Sequence, residues 1–328
     1  MGDFRSRGRK TVGQRPIAAG VSIGSWAGRR LNDNGNPHQC GHQNGKIGVF
    51  GVSFRLVFRV RNGVSVDIRS GGEVAADKKP RVGLFATCLV DLFRPNVGFA
   101  TLELLERAGC HVEVPEAQVC CGQPAYNSGD VDTATSLAKQ VIAAFEPYDY
   151  VVGPSGSCMA MLREHYPQLF PVDAKWRARA DAVAARSFEL LSFLVDVMGM
   201  DDFSAEFPSN ATYHDSCSGL REMEIKSQPR KLIANVGGMQ LKEMDAAEVC
   251  CGFGGTFCVK YPEISTRLVD DKLEQIRQAE ANTLLGGDLG CLMNIAGRLR
   301  RQGSDVRVFH LAEVLAGRAT TSIAGDDE

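Results

Sequence analysis

The sequence predicts an α/β fold in which two pseudo-repeated domains each hold a mostly parallel sheet flanked by helices. Short apolar stretches typical of buried strands alternate with segments whose apolar residues recur at helical spacing, beginning near residue 80. The cysteines also repeat, because each of four in the first half has a counterpart 129, 130, 130 or 133 residues further on. Near-constant offsets of this size indicate duplication of a whole domain, since solenoid units repeat every 20–50 residues or so.

In the first half, strands and helices are predicted in alternation. The predicted strands are residues 81–86, 111–114 and 150–152. The apolar residues that mark the helices are Phe99, Leu102 and Leu105, then Ala134, Leu137, Ala138, Val141, Ile142 and Phe145, and finally Phe188, Leu191, Leu194, Val195 and Met198. Gly109 is placed to end the first helix. We expect a linker near residues 199–208, which separates a first domain at 80–200 from a second at 201–317.

The second half follows the same plan. We expect a strand that ends at 212–214, a helix around 230–236, a segment at 241–249 and a closing strand at 306–309. Two further helices are marked by Val269, Leu273 and Ile276, and by Leu292, Ile295, Ala296 and Leu299, the latter beginning at Cys291. Residues 318–328 are expected to form a tail. In parallel sheets, binding sites form beyond the carboxyl ends of the strands.

Residues 1–79 differ in composition from the rest. Residues 1–62 carry eleven Lys or Arg and two Asp or Glu. Residues 52–60 alternate apolar and polar side chains, which is a strand pattern. Three interpretations stay open: a disordered extension or upstream translation start, an Arg-rich transit peptide, or an added strand or arm that binds a partner. The segment is excluded from the predicted core.

The composition excludes several classes of protein. The net charge of −2 gives no sign of a nucleic-acid partner. No apolar run approaches the roughly 20 residues needed to span a bilayer, and no secretory signal is recognisable. A cytoplasmic location is therefore expected. There, clustered cysteines bind metal or carry out chemistry more often than they form disulfides.

Two Cys-Cys-Gly units, at 120–122 and 250–252, are the centres of the repeat. Neighbouring side chains on an extended chain point to opposite sides, so both thiols reach one centre only if the backbone turns, which the glycines permit. The repeated cysteines are Cys88, Cys120, Cys121 and Cys158, and Cys217, Cys250, Cys251 and Cys291. Four thiolates suit tetrahedral zinc or a [4Fe–4S] cluster. The chain has no Cys-x-x-Cys zinc knuckle, and a vicinal pair suits a larger multi-iron group.

On these motifs the chain resembles the cysteine-rich Cys-Cys-Gly-domain family. That family includes the catalytic cysteine-rich subunit of heterodisulfide reductase and the iron–sulfur subunit of glycolate oxidase, and the resemblance is strongest to its lactate utilization protein A type. It covers about residues 80–317 and includes Ala-Thr-Cys at 86–88, Gly-Pro-Ser-Gly-Ser-Cys at 153–158 and His-Asp-Ser-Cys at 214–217.

The resemblance implies an iron–sulfur electron-transfer protein. The eight repeated cysteines would hold one or two [4Fe–4S] clusters per chain, and electrons would pass during oxidation of lactate or a related 2-hydroxy acid such as glycolate. Partner subunits are implied, namely a ferredoxin-type iron–sulfur protein and a flavoprotein, through which the chain could attach to the periphery of the inner membrane. The chain itself has no Cys-x-x-Cys-x-x-Cys run of a ferredoxin domain.

The chain departs from the fullest family pattern, which ends each repeat in Cys-x-x-Cys. Ser155 and Asp288 stand at the first of those cysteine positions. They and Ser157 are expected to be helix N-caps, with metal ligation as the alternative for each of the three, through an oxygen in the case of Asp288. Cys258 is expected in the core, with a supplementary metal ligand as the alternative. His214 is a candidate proton donor or hydrogen-bond partner of a cluster, or simply a histidine at the end of a strand.

Two further functions remain open at this stage. One is thiol–disulfide chemistry at a cluster, as in heterodisulfide reductase. The other is a zinc-stabilised interaction protein without a redox role. Whether the chain is itself an enzyme or the oxidoreductase component of a complex is likewise open.

Overall fold

The computed structural model describes residues 57–59, 65–67 and 79–325. Within residues 28–79, which form a unit of their own, strands β1 (Val57–Arg59) and β2 (Ser65–Asp67) pair antiparallel. Part of the predicted strand at 52–60 is therefore present. The other expectations for residues 1–79, disorder, a transit peptide or a binding arm, concern residues that lie mostly outside the described ones.

Two four-stranded parallel sheets organise residues 80–325, which belong to one compact unit. The first sheet has the order β4-β3-β5-β6 and the second β8-β7-β9-β10, so each places its first strand between its second and third. The strands are β3 (Arg81–Leu84), β4 (His111–Glu113), β5 (Tyr150–Gly153), β6 (Ser187–Glu189), β7 (Glu206–His214), β8 (Gly237–Leu241), β9 (Thr283–Gly286) and β10 (Arg307–His310). The predicted α/β fold with two pseudo-repeats is confirmed.

Helices follow the strands in both halves. They are α1 (Cys88–Phe93), α2 (Pro95–Arg107), α3 (Gln123–Asn127), α4 (Val131–Phe145), α5 (Gly156–Ala160), α6 (Ala174–Ala184), α7 (Leu190–Ser192), α8 (Cys217–Arg221), α9 (Ser227–Ala234), α10 (Phe257–Lys260), α11 (Pro262–Gln278), α12 (Leu289–Arg301) and α13 (Leu311–Leu315). Two π-helical turns, Met161–His165 and Phe193–Val197, extend α5 and α7. No helix within these described residues is both long and apolar enough to cross a membrane.

Several elements differ from the sequence prediction. Phe188, expected on a helix, lies in strand β6, and the helix starts only after Glu189. Strands β8 and β9 were not predicted, although all four residues of β9 are buried. Strand β7 already begins at Glu206, inside the expected linker. A fully buried strand such as β9 carries no alternation of apolar and polar residues, and β6 has only three residues, which are too few to show a period.

Each half packs its last helix against a helix of the other half. Helix α13, from the second half, packs on α2 of the first, and α7 of the first half packs on α9 of the second. Arg94 anchors the first contact, because its Nε donates to Glu313 Oε1 at 2.9 Å and Glu313 is fully buried. One apolar core, which includes Leu191, Tyr213 and Phe309, is continuous across both sheets.

Asp288 lies where the two halves meet and caps helices from both. It pairs with Ser155 in an isolated antiparallel bridge. Its Oδ1 accepts from Gly290 N at 3.2 Å, at the start of its own helix α12. Its Oδ2 accepts from Ser157 N and Ser155 Oγ, both at 3.0 Å, at the start of α5 in the other half. Ser155 and Asp288 are N-caps as predicted, whereas Ser157 is not a cap but the second residue of α5.

Residues 318–325, assigned to a tail from the sequence, are held against both halves. Arg318 Nε donates to Glu103 Oε2 at 2.7 Å. Ile323 N donates to Val308 O at 2.8 Å, and Ser322 is buried. These contacts hold the segment against β10 of the second half and α2 of the first.

The double capping predicts that Asp288→Ala is unusually destabilising. Loss of a single N-cap costs about 1 kcal/mol, and here two helix starts lose their acceptor at once, so we expect roughly 2–3 kcal/mol in the free energy of unfolding. Asp173→Ala is the matched control, since Asp173 caps only α6 by accepting from Trp176 N at 3.1 Å. Equal losses in denaturant titrations of the two variants would contradict the shared cap.

Candidate metal centres

The four repeated cysteines of the first half converge on one place. The Sγ atoms of Cys121 and Cys158 lie 3.6 Å apart. Cys120 is hydrogen-bonded to the thiols of both Cys121 and Cys88. We call this set of four thiols the first centre. Cys121 and Cys158 are buried, whereas Cys88 and Cys120 are half-buried, so solvent reaches the set at Cys88 and Cys120.

Local backbone structure explains this convergence. Cys88 is the first residue of α1, which Thr87 caps just beyond the end of β3, and Cys158 is the third residue of α5, just beyond β5. Between them, Gly122 adopts a left-handed conformation with φ of +85° and starts α3. That turn brings the vicinal pair to the same side, because only glycine takes up such a φ at no steric cost.

The second centre repeats the arrangement with Cys217, Cys250, Cys251 and Cys291. Cys250 is hydrogen-bonded to the thiols of Cys217 and Cys251, and Cys251 is hydrogen-bonded in turn to Cys291. Cys217 is the first residue of α8 and Cys291 the third residue of α12.

Gly252 is the turn residue of the second centre, with φ of +83°. A Cβ there would lie 2.6 Å from the backbone oxygen of Ser265, so no other residue fits. Both Cys-Cys-Gly units therefore need their glycine, for backbone conformation in each case and for space in the second.

The first cysteine of each vicinal pair is favoured as a thiolate. Hydrogen bonds from the thiols of Cys121 and then Cys88 lower the pKa of Cys120 to about 3. Those from Cys217 and then Cys251 lower the pKa of Cys250 to about 2. Backbone N–H groups of the two turn glycines also point at these sulfurs, at 3.5 and 3.3 Å.

Cys88 and Cys217 are favoured as protonated thiols. The hydrogen bond to Cys120 and burial raise the pKa of Cys88, and the hydrogen bond to Cys250 and burial raise the pKa of Cys217. Metal binding would release these protons, because a coordinated sulfur is deprotonated.

Two side chains that sequence reasoning missed hold the vicinal pairs in place. Tyr166 Oη donates to Cys121 O at 2.9 Å, and Asn294 Nδ2 donates to Cys251 O at 2.8 Å. In each half the side chain donates to the backbone oxygen of the second cysteine of the pair, but it comes from a different helical segment. Since they differ in residue type and lie 45 and 43 residues from their partners, no local pattern could have found them.

His214 lies at the second centre. It is only 1% exposed, and neither ring nitrogen has a hydrogen-bond partner among the described residues. Its ligand atom and the Sγ atoms of Cys251 and Cys291 all lie within 4.8 Å of one another. Burial, followed by the nearby Lys272 charge, lowers the pKa of His214 to about 3, which keeps the imidazole neutral and able to bind a metal.

Two alternative ligands named from the sequence have other hydrogen-bond partners. Both carboxylate oxygens of Asp288 are engaged with the starts of α5 and α12. Cys258 is half-buried and lies outside the apolar clusters, so its expected core position is wrong. Its Sγ donates to Gly255 O at 3.2 Å and shares no hydrogen bond with the thiols of the second centre. Metal ligation by either stays a prediction.

A small cavity between the halves contains Glu189, another residue not singled out from the sequence. The cavity has a volume of about 10 Å³, roughly the space of one water, and Tyr213, Asp215 and Gly287 also line it. Glu189 Oε2 accepts from Leu191 N at 2.8 Å, but Oε1 has no partner among the described residues. Burial raises the pKa of Glu189 to about 8.

Glu189→Gln is expected to remove a pH dependence of stability. Because the carboxyl has a pKa of 4.5 when exposed and about 8 when folded, the native state binds the extra proton and loses stability as the pH rises between these values. The variant should therefore be more stable than the original at pH 8 and above, by up to about 5 kcal/mol, and no more stable at pH 4. Thermal melts of both proteins across this range test it, and parallel curves would refute the assignment.

The sequence has clear relatives among known proteins. The model of the cysteine-rich (CCG) domain family matches the chain twice, at residues 82–163 and 211–296. Lactate utilization protein A of Geobacillus sp. (strain WCH70) is 53% identical over 238 residues, which are 73% of this chain and 100% of that protein. The protein of the same name from Bacillus subtilis (strain 168) is 50% identical over the same shares of both chains.

Solved structures are more distant. A sugar ABC transport substrate-binding protein from Bordetella parapertussis 12822 is 13% identical, with a TM-score of 0.26 over 74% of this chain and 73% of that one. This likeness is too low to bear on the fold. Each domain match contains all four thiols of one set and includes residues from the first three strands of one sheet, and the relatives are covered over their whole length. By sequence, lactate utilization protein A is a relative of this chain, and the chain belongs to the cysteine-rich CCG-domain family.

Proposed function

We propose that this chain is the iron–sulfur electron-transfer subunit of a cytoplasmic complex that oxidises L-lactate or a related 2-hydroxy acid such as glycolate. The observation that carries the proposal is the convergence of four thiols in each half, at equivalent places beyond the strand ends. The reaction is suggested by the relatives, which are named for lactate utilization.

The donor set favours iron–sulfur clusters over zinc. All eight donors are thiols, which are the usual ligands of [4Fe–4S] clusters. In each half two of them are adjacent in sequence, and adjacent thiols reach a group with several metal atoms more readily than a single ion. Bound there, such clusters would supply one-electron transfer. The chain's own residues would ligate them, and Tyr166 and Asn294 would fix the vicinal pairs.

The position of the centres also suits passage of electrons through the chain. Ser155 and Asp288 pair across the junction, and Cys158 and Cys291 each follow one of them by three residues. Each centre also has half-buried thiols toward its open side. We infer that electrons enter and leave at these openings, through partners such as a flavoprotein and a ferredoxin-type iron–sulfur protein.

Single cysteine variants test the assignment. After anaerobic reconstitution with iron and sulfide, we expect a brown protein with about eight irons per chain. Cys121→Ser and Cys251→Ser should each lose about half of that iron, measured by iron and sulfide analysis. Cys110→Ser is the matched control, because Cys110 is also buried but lies in the apolar core away from both sets, and it should keep all of the iron.

Other results would indicate a different ligand set or a different function. Full iron in both Cys121→Ser and Cys251→Ser would refute the ligand sets, and iron lost in Cys258→Ser would add that residue to the second. A colourless protein with stoichiometric zinc would support the zinc-stabilised interaction protein instead. A noncubane spectrum with disulfide reductase activity would support heterodisulfide-type chemistry.

A further inference from the structure

Lys272 is a buried cation beside the second centre. It lies on α11 and is 0% exposed. Its Nζ donates to Ala246 O at 2.7 Å and to Ala247 O at 3.2 Å, in the loop that leads into Cys250. It forms no ion pair with a carboxylate in the described part of the chain. A buried ammonium without a paired anion is costly, so some other negative group is expected to offset it.

The thiols of the second centre, once deprotonated by a bound metal, are candidates for that negative group. Burial lowers the pKa of Lys272, and negative charge on Cys251, on Cys217 and on Asp215 opposes that effect, although Asp215 is already paired with Arg230. Four thiolates with iron would carry net negative charge close to this ammonium. In a site of low dielectric, such a charge acts much more strongly than it would in water.

Within the described residues, the position of the first half that corresponds to Lys272 holds no cation, as the correspondence of the two halves shows. A Cβ on Gly122 would contact Leu137 Cβ of α4 at 3.5 Å, and one on Gly252 would contact Leu268 Cβ of α11 at 3.1 Å. The two leucines lie 131 residues apart. At the same offset, Lys272 corresponds to Val141, which is also fully buried.

A second difference lies at the end of the first strand of each sheet. His214 is opposite Gly286 in the β7–β9 pairing. The β3–β5 pairing places Leu84 opposite Val152, so the next residue, Phe85, takes the corresponding place. The second centre therefore faces an imidazole with two unpartnered nitrogens where the first faces a phenyl ring.

We propose that the second centre is the more easily reduced of the two, and that Lys272 and His214 set the difference. The inference rests on the proposed iron–sulfur function. Reduction adds one negative charge to a cluster, and the Lys272 ammonium stabilises that charge. A hydrogen bond or ligand nitrogen from His214 acts in the same direction, because both raise cluster potentials. An electron shared by the two centres then resides on the second.

Redox titration of the reconstituted full chain, followed by electron paramagnetic resonance, tests this. The signal that disappears in Cys251→Ser belongs to the second centre, and the one that disappears in Cys121→Ser to the first. We expect the second centre to be reduced first. Lys272→Met should shift its midpoint to lower potential and leave the first centre unchanged, and His214→Phe should shift it in the same direction.

Val141→Met is the matched control, because it places the same side chain at the corresponding position without removing a charge. It should move neither midpoint. If Lys272 only tethers the loop at 246–247, Lys272→Met lowers the melting temperature and leaves the potentials unchanged, which would overturn the inference. So would a first centre that is reduced before the second. Should Lys272→Met fail to fold, an unshifted midpoint in His214→Phe would overturn it as well.

Failure of the underlying function would be distinguishable from these results. A chain that binds no iron gives no signal in any of the samples, and it would refute the proposed function together with this inference. Iron bound at both centres with equal midpoints would refute the inference alone.

Discussion

Two adjacent side chains can face one centre only where the backbone reverses between or just after them, and both thiol sets depend on that constraint. Gly122 and Gly252 satisfy it with nearly the same φ, of +85° and +83°. With the glycine in place, the second cysteine of each pair is buried and the first keeps a backbone N–H directed at its sulfur. The rest of each set needs only helices that begin just beyond neighbouring parallel strands, which the α/β fold provides.

The junction between the halves couples the two sets. The carboxylate of Asp288 accepts hydrogen bonds at the starts of both helices that carry Cys158 and Cys291. It therefore links the positions of the two centres. Each half also places its last helix on the other, which buries a continuous core. These contacts make the repeats parts of one unit, although each repeat forms its own sheet.

Duplication preserved the backbone and let the surroundings of the centres diverge. The glycine turns, the helix starts and the cysteines recur, since a change there removes one of the converging thiols or its orientation. The residues behind them differ: Phe85 and Val141 in the first half correspond to His214 and Lys272 in the second. Two centres with the same type of ligand can thereby have different electrostatic surroundings. A protein that held two otherwise equivalent clusters could distinguish them in this way.

The sequence by itself determined the fold class, the duplication and the eight converging cysteines, because periodicity, spacing and turn glycines are local properties of the chain. It also identified Ser155 and Asp288 as caps. It missed strand β9, because a fully buried strand loses its alternation, and it placed Phe188 of the three-residue strand β6 on a helix. Tertiary structure alone decided that Asp288 serves both halves, that Glu189 is enclosed and that Lys272 lies beside thiols. Such facts depend on which distant residues meet when two sheets pack together, and no local pattern records them.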